Sequence, residues 1–564
     1  MQRRWILARN APRNGDQIGW AELCRSESIA RILQRREFAS AAEVEAFLDP
    51  RLDRLSDPFL LPGIEAAVRR ILEAVDRHQR IVLFGDYDVD GVTSLALLDE
   101  MLRALGNAPA LFLPHRLDEG YGMSREAVER CLRLHDPQLL IAIDCGTTST
   151  NEIAELRRDG VDVIVLDHHE PKSDRPDCIL VNPKAAPSDL RYLCSVGLTF
   201  KLCHALLKAR RIPYDLRDGL DLVALGTVAD IVPLEGENRA LVKRGATQLA
   251  RSRRPGLIAL IAAAGVKPPI TPEDIGFRLG PRLNAAGRLD TAEKALRLLV
   301  SADPGEAESL AQELDLQNRE RQKLEKRILT EAEAQLGEVF DPARDAAIVL
   351  GARDWHPGVL GIVASRIARK YHRPTIVIGF DESGAGKGSG RSIAHYSLVQ
   401  ALGSCSSLLD KFGGHEMAAG VSLSEQNFGE FAQAFRSTAR AQLDHAALEP
   451  RLHLDAEILL RDVNFELLHW HDRLQPFGQG NLQPLFVSSQ VEPAMIPRVV
   501  GERHLSLRLK QRNWQQRAIF FDGVSEPLPP PPWDVAYRIV SDVYEGEQRI
   551  QLQLEALRSS CAFD

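Results

Sequence analysis

Four apolar runs, Ile81–Phe84, Leu139–Ile143, Val161–Leu166 and Ile179–Val181, constrain this chain more than any other feature. None shows the apolar–polar alternation of a strand with one face in water. Helix-like stretches separate them between about residues 65 and 235. Near-continuous Val/Ile/Leu runs spaced by helices predict a parallel sheet covered on both faces. In such a sheet, ligands bind in the crevice beyond the carboxyl ends of the strands. The residues that follow each run are therefore the place to look for chemistry.

The first run leads into Gly85-Asp86-Tyr87-Asp88-Val89-Asp90-Gly91, three acids at alternate positions. Carboxylates this close raise one another's pKa unless a cation neutralises them. Hard divalent ions such as Mg²⁺ or Mn²⁺ prefer oxygen ligands. In isolation a calcium loop or an acidic turn would read the same way. The second run is followed by Asp144-Cys145-Gly146 and the third by Asp167-His168-His169, the only adjacent histidine pair; Asp230 follows the apolar segment 222–229. One Asp at such a place is most often a helix cap. Four at equivalent ends of one sheet are hard to explain as caps. Together they bring five or six carboxylates and one or two imidazoles to one crevice. That set suits two divalent ions sharing a bridging carboxylate, and its oxygen-rich character favours Mn²⁺ or Mg²⁺ over zinc. Paired ions stabilise both the attacking and the leaving oxygen in phosphate-ester hydrolysis. The residues point to a metal-dependent phosphoesterase.

The rest of the 564-residue chain leaves room for three or four domains. Residues 1–62 read as short helices without a motif, and 63–300 hold the α/β region with the acids. Residues 306–336 contain neither Gly nor Pro and predict one long charged helix, within a linker segment 301–340. A second α/β region, 341–447, carries runs Ala346–Leu350 and Thr375–Ile378 and glycine-rich loops at 383–390 and 413–414. From 448 to 564 short β runs surround the loop Pro529–Pro532, which suits a small OB-like barrel. The predicted class is α/β: two α/β domains joined by a long helix, plus a C-terminal β-barrel.

A net charge of −8 gives no support for indiscriminate nucleic-acid binding. Basic segments at 251–254, 278–288 and 319–327 are as readily solvated faces. Eight scattered cysteines with no Cys-x-x-Cys pair argue against a zinc ribbon or a disulfide scaffold. No stretch approaches the ~20 apolar residues that span a bilayer, and the basic N-terminus lacks the apolar core of a secretory signal. A cytoplasmic protein with no membrane association is expected.

The Asp167-His168-His169 triplet, with the acid run at 85–91 upstream and Gly413-Gly414-His415 downstream, resembles the DHH phosphoesterase superfamily. Segments 280–288 (GPRLNAAGR), 355–361 (WHPGVLG) and 388–392 (GSGRS) are similar to its branch of bacterial single-strand-specific DNA exonucleases. The resemblance runs from about residue 60 to the end.

It implies that Asp88, Asp90, Asp144, His168 and Asp230 ligate two Mn²⁺ or Mg²⁺ ions, with Asp144 bridging. It gives catalytic roles to Asp144, Asp167, His168 and His169; His169 faces the scissile phosphate and Asp167 orients the histidines. Many superfamily members carry a histidine four residues before the Asp88 equivalent. Here that residue is Phe84, so Asp86 is the candidate acid to compensate. Gly413, Gly414, His415, Ser389, Arg391 and His356 resemble the substrate-phosphate clamp. Arg282, Asn284 and Arg288 could grip the strand further away, although helix-surface residues read the same. In the barrel, Arg498, Arg503, His504, Arg508, Lys510 and Trp514 are candidates for the same track, or for solvated faces. The implied activity is 5′-to-3′ hydrolysis of single-stranded DNA to mononucleotides in recombination and repair. The implied enzyme is a monomer, with single-strand binding protein and a recombination helicase as further partners. Two rivals are a DHH phosphodiesterase of short oligonucleotides or cyclic dinucleotides and a non-catalytic replication scaffold. The C-terminal barrel argues against the first, and the full ligand set against the second.

Overall fold

The computed structural model describes residues 3–8, 23–115, 119, 122–289, 291–525, 527–544 and 546–561. The chain divides into two compact units. One is chiefly Glu313–Leu452; the other is chiefly Trp5–Gly287, Thr291–Gln312 and His453–Asp564.

The N-terminal segment is not purely helical, since it opens with a strand, β1 (Arg4–Leu7). The larger unit then forms the expected parallel sheet from β2 (Ile81–Gly85), β3 (Ala110–Phe112), β4 (Leu139–Ile143), β5 (Asp162–Leu166) and β6 (Ile179–Val181). The run patterns miss β3, a three-residue edge strand between Pro109 and Pro114, because it is too short to read as a run. Val82, Phe84, Leu140, Ala142, Val163 and Val165 pack on one face with Phe112, Val128, Ile153 and Leu156. On the other, Leu83, Ile141 and Ile164 are equally buried. Coverage of both faces explains the lack of alternation.

The strand order is β3-β2-β4-β5-β6. The chain leaves β2 toward β3 on one side and returns to β4 on the other, so the order reverses between β2 and β4. That switch point opens a crevice at the carboxyl ends of β2 and β4. Asp230 does not end a strand of this sheet. It ends the helix Leu220–Ala229, which is buried from Leu220 to Thr227.

The smaller unit carries β7 (Ile348–Arg353), β8 (Thr375–Phe380), β9 (Ala385–Arg391), β10 (Lys411–Gly414) and β11 (Ala418–Ser424), in the order β10-β11-β9-β8-β7. The glycine-rich stretches 383–390 and 413–414 were expected as loops; most of the first is β9, and the second ends β10. Several of the glycines there, Gly386, Gly388 and Gly414, reflect crowding. A Cβ on Gly388 would come within 2.6 Å of Ile378 and 2.7 Å of Val421. The long helix spans Pro304–Val339, and its Ile328, Ala332 and Leu336 pack with Val359, Val363 and Ile367 of the helix Pro357–Tyr371.

Strand β12 (Arg451–Leu454) pairs with β1. After it come β13 (Ala456–Glu457), β14 (Phe486–Pro493), β15 (Arg498–Val500), β16 (His504–Gln511), β17 (Trp514–Phe520), β18 (Trp533–Tyr544) and β19 (Glu547–Ser559). Pairings β14–β18–β19–β17–β16–β14 close a five-stranded barrel in which only β17 and β19 run parallel. This is OB-fold connectivity. Its core includes Phe486, Leu507, Leu509, Tyr537 and Leu552, joined by Ile29, Leu33, Val44 and Leu48 of the helices Glu27–Gln34 and Ala41–Leu48. The N-terminal helices thus complete the barrel's core.

Arg239 ties this assembly to the sheet-bearing part of the same unit. Its buried guanidinium lies 3.6 Å from the Phe47 ring centroid and donates to the carbonyls of Phe47 (2.9 Å), Leu474 (3.0 Å) and Gln475 (3.1 Å). Removing it leaves buried carbonyls without donors, which costs about 1–3 kcal/mol each before relaxation. We expect Arg239→Ala to lower the urea-unfolding free energy by about 2–4 kcal/mol. Proteolysis should then cut between residues 448 and 564 first. An unchanged unfolding midpoint would contradict the clamp.

Candidate metal centre and phosphate cradle

Asp86 and Asp88 lie on the turn after β2, and Asp90 on the first turn of the helix Val89–Ala104. Asp88 does cap that helix: its Oδ1 accepts from the N–H groups of Asp90 (2.9 Å) and Gly91 (3.1 Å). Gly91 is required because a Cβ there would stand 2.3 Å from the Asp86 carbonyl oxygen. This tight turn draws three acids into one corner. Asp144, directly after β4, takes a left-handed φ of 64°. A non-glycine residue seldom does so without a local reason.

The ligand-capable residues fall into three groups, two of which share Asp144. Ligand-capable atoms of Asp86, Asp88 and Asp144 lie within 4.8 Å of one another, as do those of Asp144, His168 and His169, and those of Asp90, Cys194 and Asp230. His168 Nε2 stands 3.4 Å from Asp144 Oδ1, 3.4 Å from Asp230 Oδ2 and 3.9 Å from Asp90 Oδ2. Asp144 is thus common to the Asp86–Asp88 corner and the His168 corner. Phe84 does not point here. It stacks on Phe112 in the core, and Asp86 stands in the corner instead.

Burial makes this crowding costly. Asp86, Asp90 and Asp144 are 1%, 1% and 2% exposed. Burial, then the charge of Asp88, pushes the Asp90 pKa up to about 7. Burial and the charge of Asp90 hold Asp144 and Asp230 well above the usual carboxylate range. Burial, then the charge of His169, lowers the His168 pKa to about 3, so that ring is neutral. His168 Nε2 and Asp230 Oδ2 are buried without a hydrogen bond. A neutral imidazole nitrogen and converging carboxylate oxygens, with unmet bonding capacity, are what a divalent cation would satisfy.

Asp167 plays a different part. Its Oδ1 accepts from the backbone N–H groups of His168 (2.7 Å) and His169 (3.1 Å) and lies 2.7 Å from His169 Nδ1; its Oδ2 accepts from Thr147 N–H (3.0 Å). Burial alone would raise its pKa, but the His169 and Thr147 hydrogen bonds and the nearby imidazoles hold it below the carboxylate range. Through its side chain it orients His169 rather than both histidines. Burial lowers the His169 pKa, yet the Asp167 bond outweighs it and leaves that ring raised.

The sequence reading missed the opening of the helix Ser195–Ala209. Backbone N–H groups of Ser195 and Val196 donate to Asp90 Oδ2 (2.7 Å) and Oδ1 (2.8 Å), and Ser195 Oγ donates to Asp144 Oδ1 (2.8 Å). A helix N-terminus suits an anion. Cys194 also escaped notice. No local motif marks these residues, which meet the acids only through the fold.

In the smaller unit, Ser389 and Arg391 sit on β9, with Arg391 Nη1 donating to Ser389 Oγ (3.0 Å). Register places Ser389 beside Gly420 and Gly420 beside Gly413, so the positions from Ser389 toward β10 carry no Cβ, while Val377 stands on its other side. Gly361, in the second turn of the helix Pro357–Tyr371, abuts both Ser389 and Arg391. Gly414 and His415 are exposed beyond this floor. His356 instead caps that helix, its Nδ1 accepting from Gly358 N–H (3.1 Å). Arg288 donates to the Gly358 carbonyl (3.3 Å). Arg282 and Asn284 lie half-buried on the helix Gly280–Leu289, where Arg282 donates to the Arg278 carbonyl. The structure therefore brings the serine, arginine and glycines together, gives His356 and Arg282 local backbone partners, and gives Arg288 one 70 residues along the chain.

Family models match three segments: the DHH family, N-terminal domain at residues 80–227, the DHHA1 domain at 345–441 and the RecJ OB domain at 454–556. The chain is 37% identical over 564 aligned positions to the single-stranded-DNA-specific exonuclease RecJ of Thermus thermophilus, covering 97% of this chain and 80% of that one. The chain belongs to the RecJ family. The Bacillus subtilis RecJ is 36% identical over 492 positions, which cover 86% of this chain and 61% of that longer protein. In three dimensions the chain matches the crystal structure of T. thermophilus RecJ in complex with Mn²⁺, with a TM-score of 0.85, 33% identity, and coverage of 100% of this chain and 80% of that one. These RecJ relatives agree with a mixed α/β architecture that ends in a barrel.

Acids whose folded pKa stands above the unfolded value stabilise the fold fully below about pH 4 and lose that contribution as pH rises through the folded pKa. For Asp90 that loss sets in above about pH 4 and is complete at about pH 7. The metal-free protein should therefore lose melting temperature between about pH 4 and pH 7, and Mn²⁺ should restore more at the upper end. Asp144→Asn should flatten the decline, by about 2–4 °C for each kcal/mol of repulsion removed. Thermal melts read both. A Mn²⁺ gain independent of pH would contradict the buried repulsion.

Proposed function

We propose that this chain is a metal-dependent exodeoxyribonuclease that hydrolyses single-stranded DNA from 5′ to 3′ into mononucleotides, in DNA recombination and repair. The observation that carries the reading is the place of Asp144 in two ligand groups of one buried crevice. Asp86, Asp88 and Asp144 would hold one Mn²⁺ or Mg²⁺, and Asp90, Asp144, His168 and Asp230 the other. When bound, such ions lower the pKa of water and neutralise the charge that builds on the phosphate.

This chain's own residues do the positioning. Asp167 engages His169 Nδ1, which leaves Nε2 as the nitrogen to meet a phosphate oxygen. Ser195 and the N–H groups of Ser195 and Val196 keep Asp144 and Asp90 aimed into the crevice. Arg391 and Ser389 suit a second backbone phosphate, for which arginine offers paired donors. The open floor at Gly413 and Gly420 lets the strand approach, with Gly414 and His415 at its rim.

The barrel extends the contact with the strand. Arg508 on β16 lies directly opposite Arg517 on β17, with Lys510 one step along. Like charges facing across strands are unfavourable alone and become favourable against a polyanion. Trp514, 55% exposed on the same hairpin, can stack on a base. The same reading makes the enzyme a cytoplasmic monomer, with single-strand binding protein and a recombination helicase as further partners. Among described residues no helix is long and apolar enough to cross a membrane.

With Mn²⁺, a 5′-labelled long single strand should release its label at once as mononucleotide, while a 3′-labelled strand shortens gradually. Duplex, dinucleotide and pyrophosphate should be poor substrates, and preferential pyrophosphate or dinucleotide hydrolysis would overturn the reading. Asp144→Ala should cut turnover by about 10³-fold, equivalent to about 4 kcal/mol of transition-state stabilisation, while strand binding survives. Arg508→Ala and Arg517→Ala should each lower the salt slope of binding by about 1. Filter binding across a salt series measures this, and slopes equal to wild type would remove the barrel face from the track.

A further inference from the structure

One side chain in the crevice is foreign to an oxygen-rich site for hard ions. Cys194 is fully buried just before the helix Ser195–Ala209, and it makes no capping hydrogen bond. Its Sγ falls within the same 4.8 Å cluster as carboxylate oxygens of Asp90 and Asp230. The thiol donates to Thr227 Oγ1 at 3.6 Å. Opposite stands His168, 8% exposed, with Nε2 making no hydrogen bond and lying 3.4 Å from Asp230 and 3.9 Å from Asp90. Sulfur and two carboxylates therefore converge, and the imidazole nitrogen stands beside the same two carboxylates. Cys145, the other thiol next to a candidate ligand, differs: it donates to the Ile143 carbonyl and packs in the apolar core.

Hard ions take oxygen ligands and keep waters, whereas zinc and its heavier congener are drawn to thiolate and close a four-ligand shell. A centre that needs an open position for water works with the first kind and is blocked by the second. We propose that Cys194 makes the Asp90–Asp230 half of the centre a site for thiophilic divalent cations, Zn²⁺ or Cd²⁺. These would bind through Asp90, His168, Cys194 and Asp230 and inhibit the enzyme. As the metal–sulfur bond forms, the thiol proton passes to solvent. The inference rests on the two-ion reading of the centre given above.

X-ray absorption at the zinc edge, on the full chain with one equivalent of Zn²⁺, should find one sulfur at about 2.3 Å. Cys194→Ser should remove it. Cadmium titration should show an ultraviolet sulfur-to-metal band in wild type that the variant lacks, and the zinc inhibition constant should rise by about tenfold or more. A shell of oxygen and nitrogen alone in wild type would overturn the proposal without need of the variant. So would sulfur that persists in Cys194→Ser. Melting curves with Mn²⁺ separate this outcome from failure of the centre itself: a wild type that Mn²⁺ does not stabilise contradicts both readings.

Discussion

The structure is organised around buried carboxylates held closer together than their charges allow. Asp86, Asp90, Asp144 and Asp167 are almost wholly shielded from water, and Asp144 and Asp230 are driven well above the ordinary carboxylate range. Isolated buried charges cost several kcal/mol each. The fold meets part of that cost with the opening N–H groups of the helices Val89–Ala104 and Ser195–Ala209 and with the Ser195 hydroxyl. It leaves the rest unmet, with His168 Nε2 and Asp230 Oδ2 buried and unbonded. A divalent cation supplies what is missing. The reversal of strand order between β2 and β4 puts the crevice where such a charge can sit.

Much of this was legible in the residues. The apolar runs at 81–84, 139–143 and 179–181 are β2, β4 and β6, and the acids after β2, β4 and β5 do converge. What stayed hidden has physical reasons. A three-residue edge strand such as β3 has no periodicity to detect. Glycines in β9 imitate a loop when they make room for Ile378 and Val421. Asp230 sits on a helix that is apolar all round, so its composition resembled that of the neighbouring strands. Ser195, Val196 and Cys194 lie far along the chain from their partners and carry no motif. His356 carries a second part that its family pattern did not suggest: its Nδ1 caps its own helix.

The barrel is bound to the sheet-bearing region through a shared core with the N-terminal helices and through the buried Arg239 clamp. A strand bound as proposed on such a support would keep its register against the metal crevice of the same unit. In the smaller unit, Gly388 makes room for Ile378 and Val421, whereas Gly413 and Gly420 leave open space on the Ser389 side of the sheet. The chemistry is thus carried by rigid elements, as positioning of a charged strand demands.

The central claim is that Asp144 joins two divalent ions in one crevice. Electron paramagnetic resonance of the protein titrated with Mn²⁺ tests it most directly. Two equivalents should bind, with the exchange-coupled signal of neighbouring ions, and Asp144→Asn should lose that coupling. A single ion per chain, or two ions with uncoupled spectra in wild type, would contradict it.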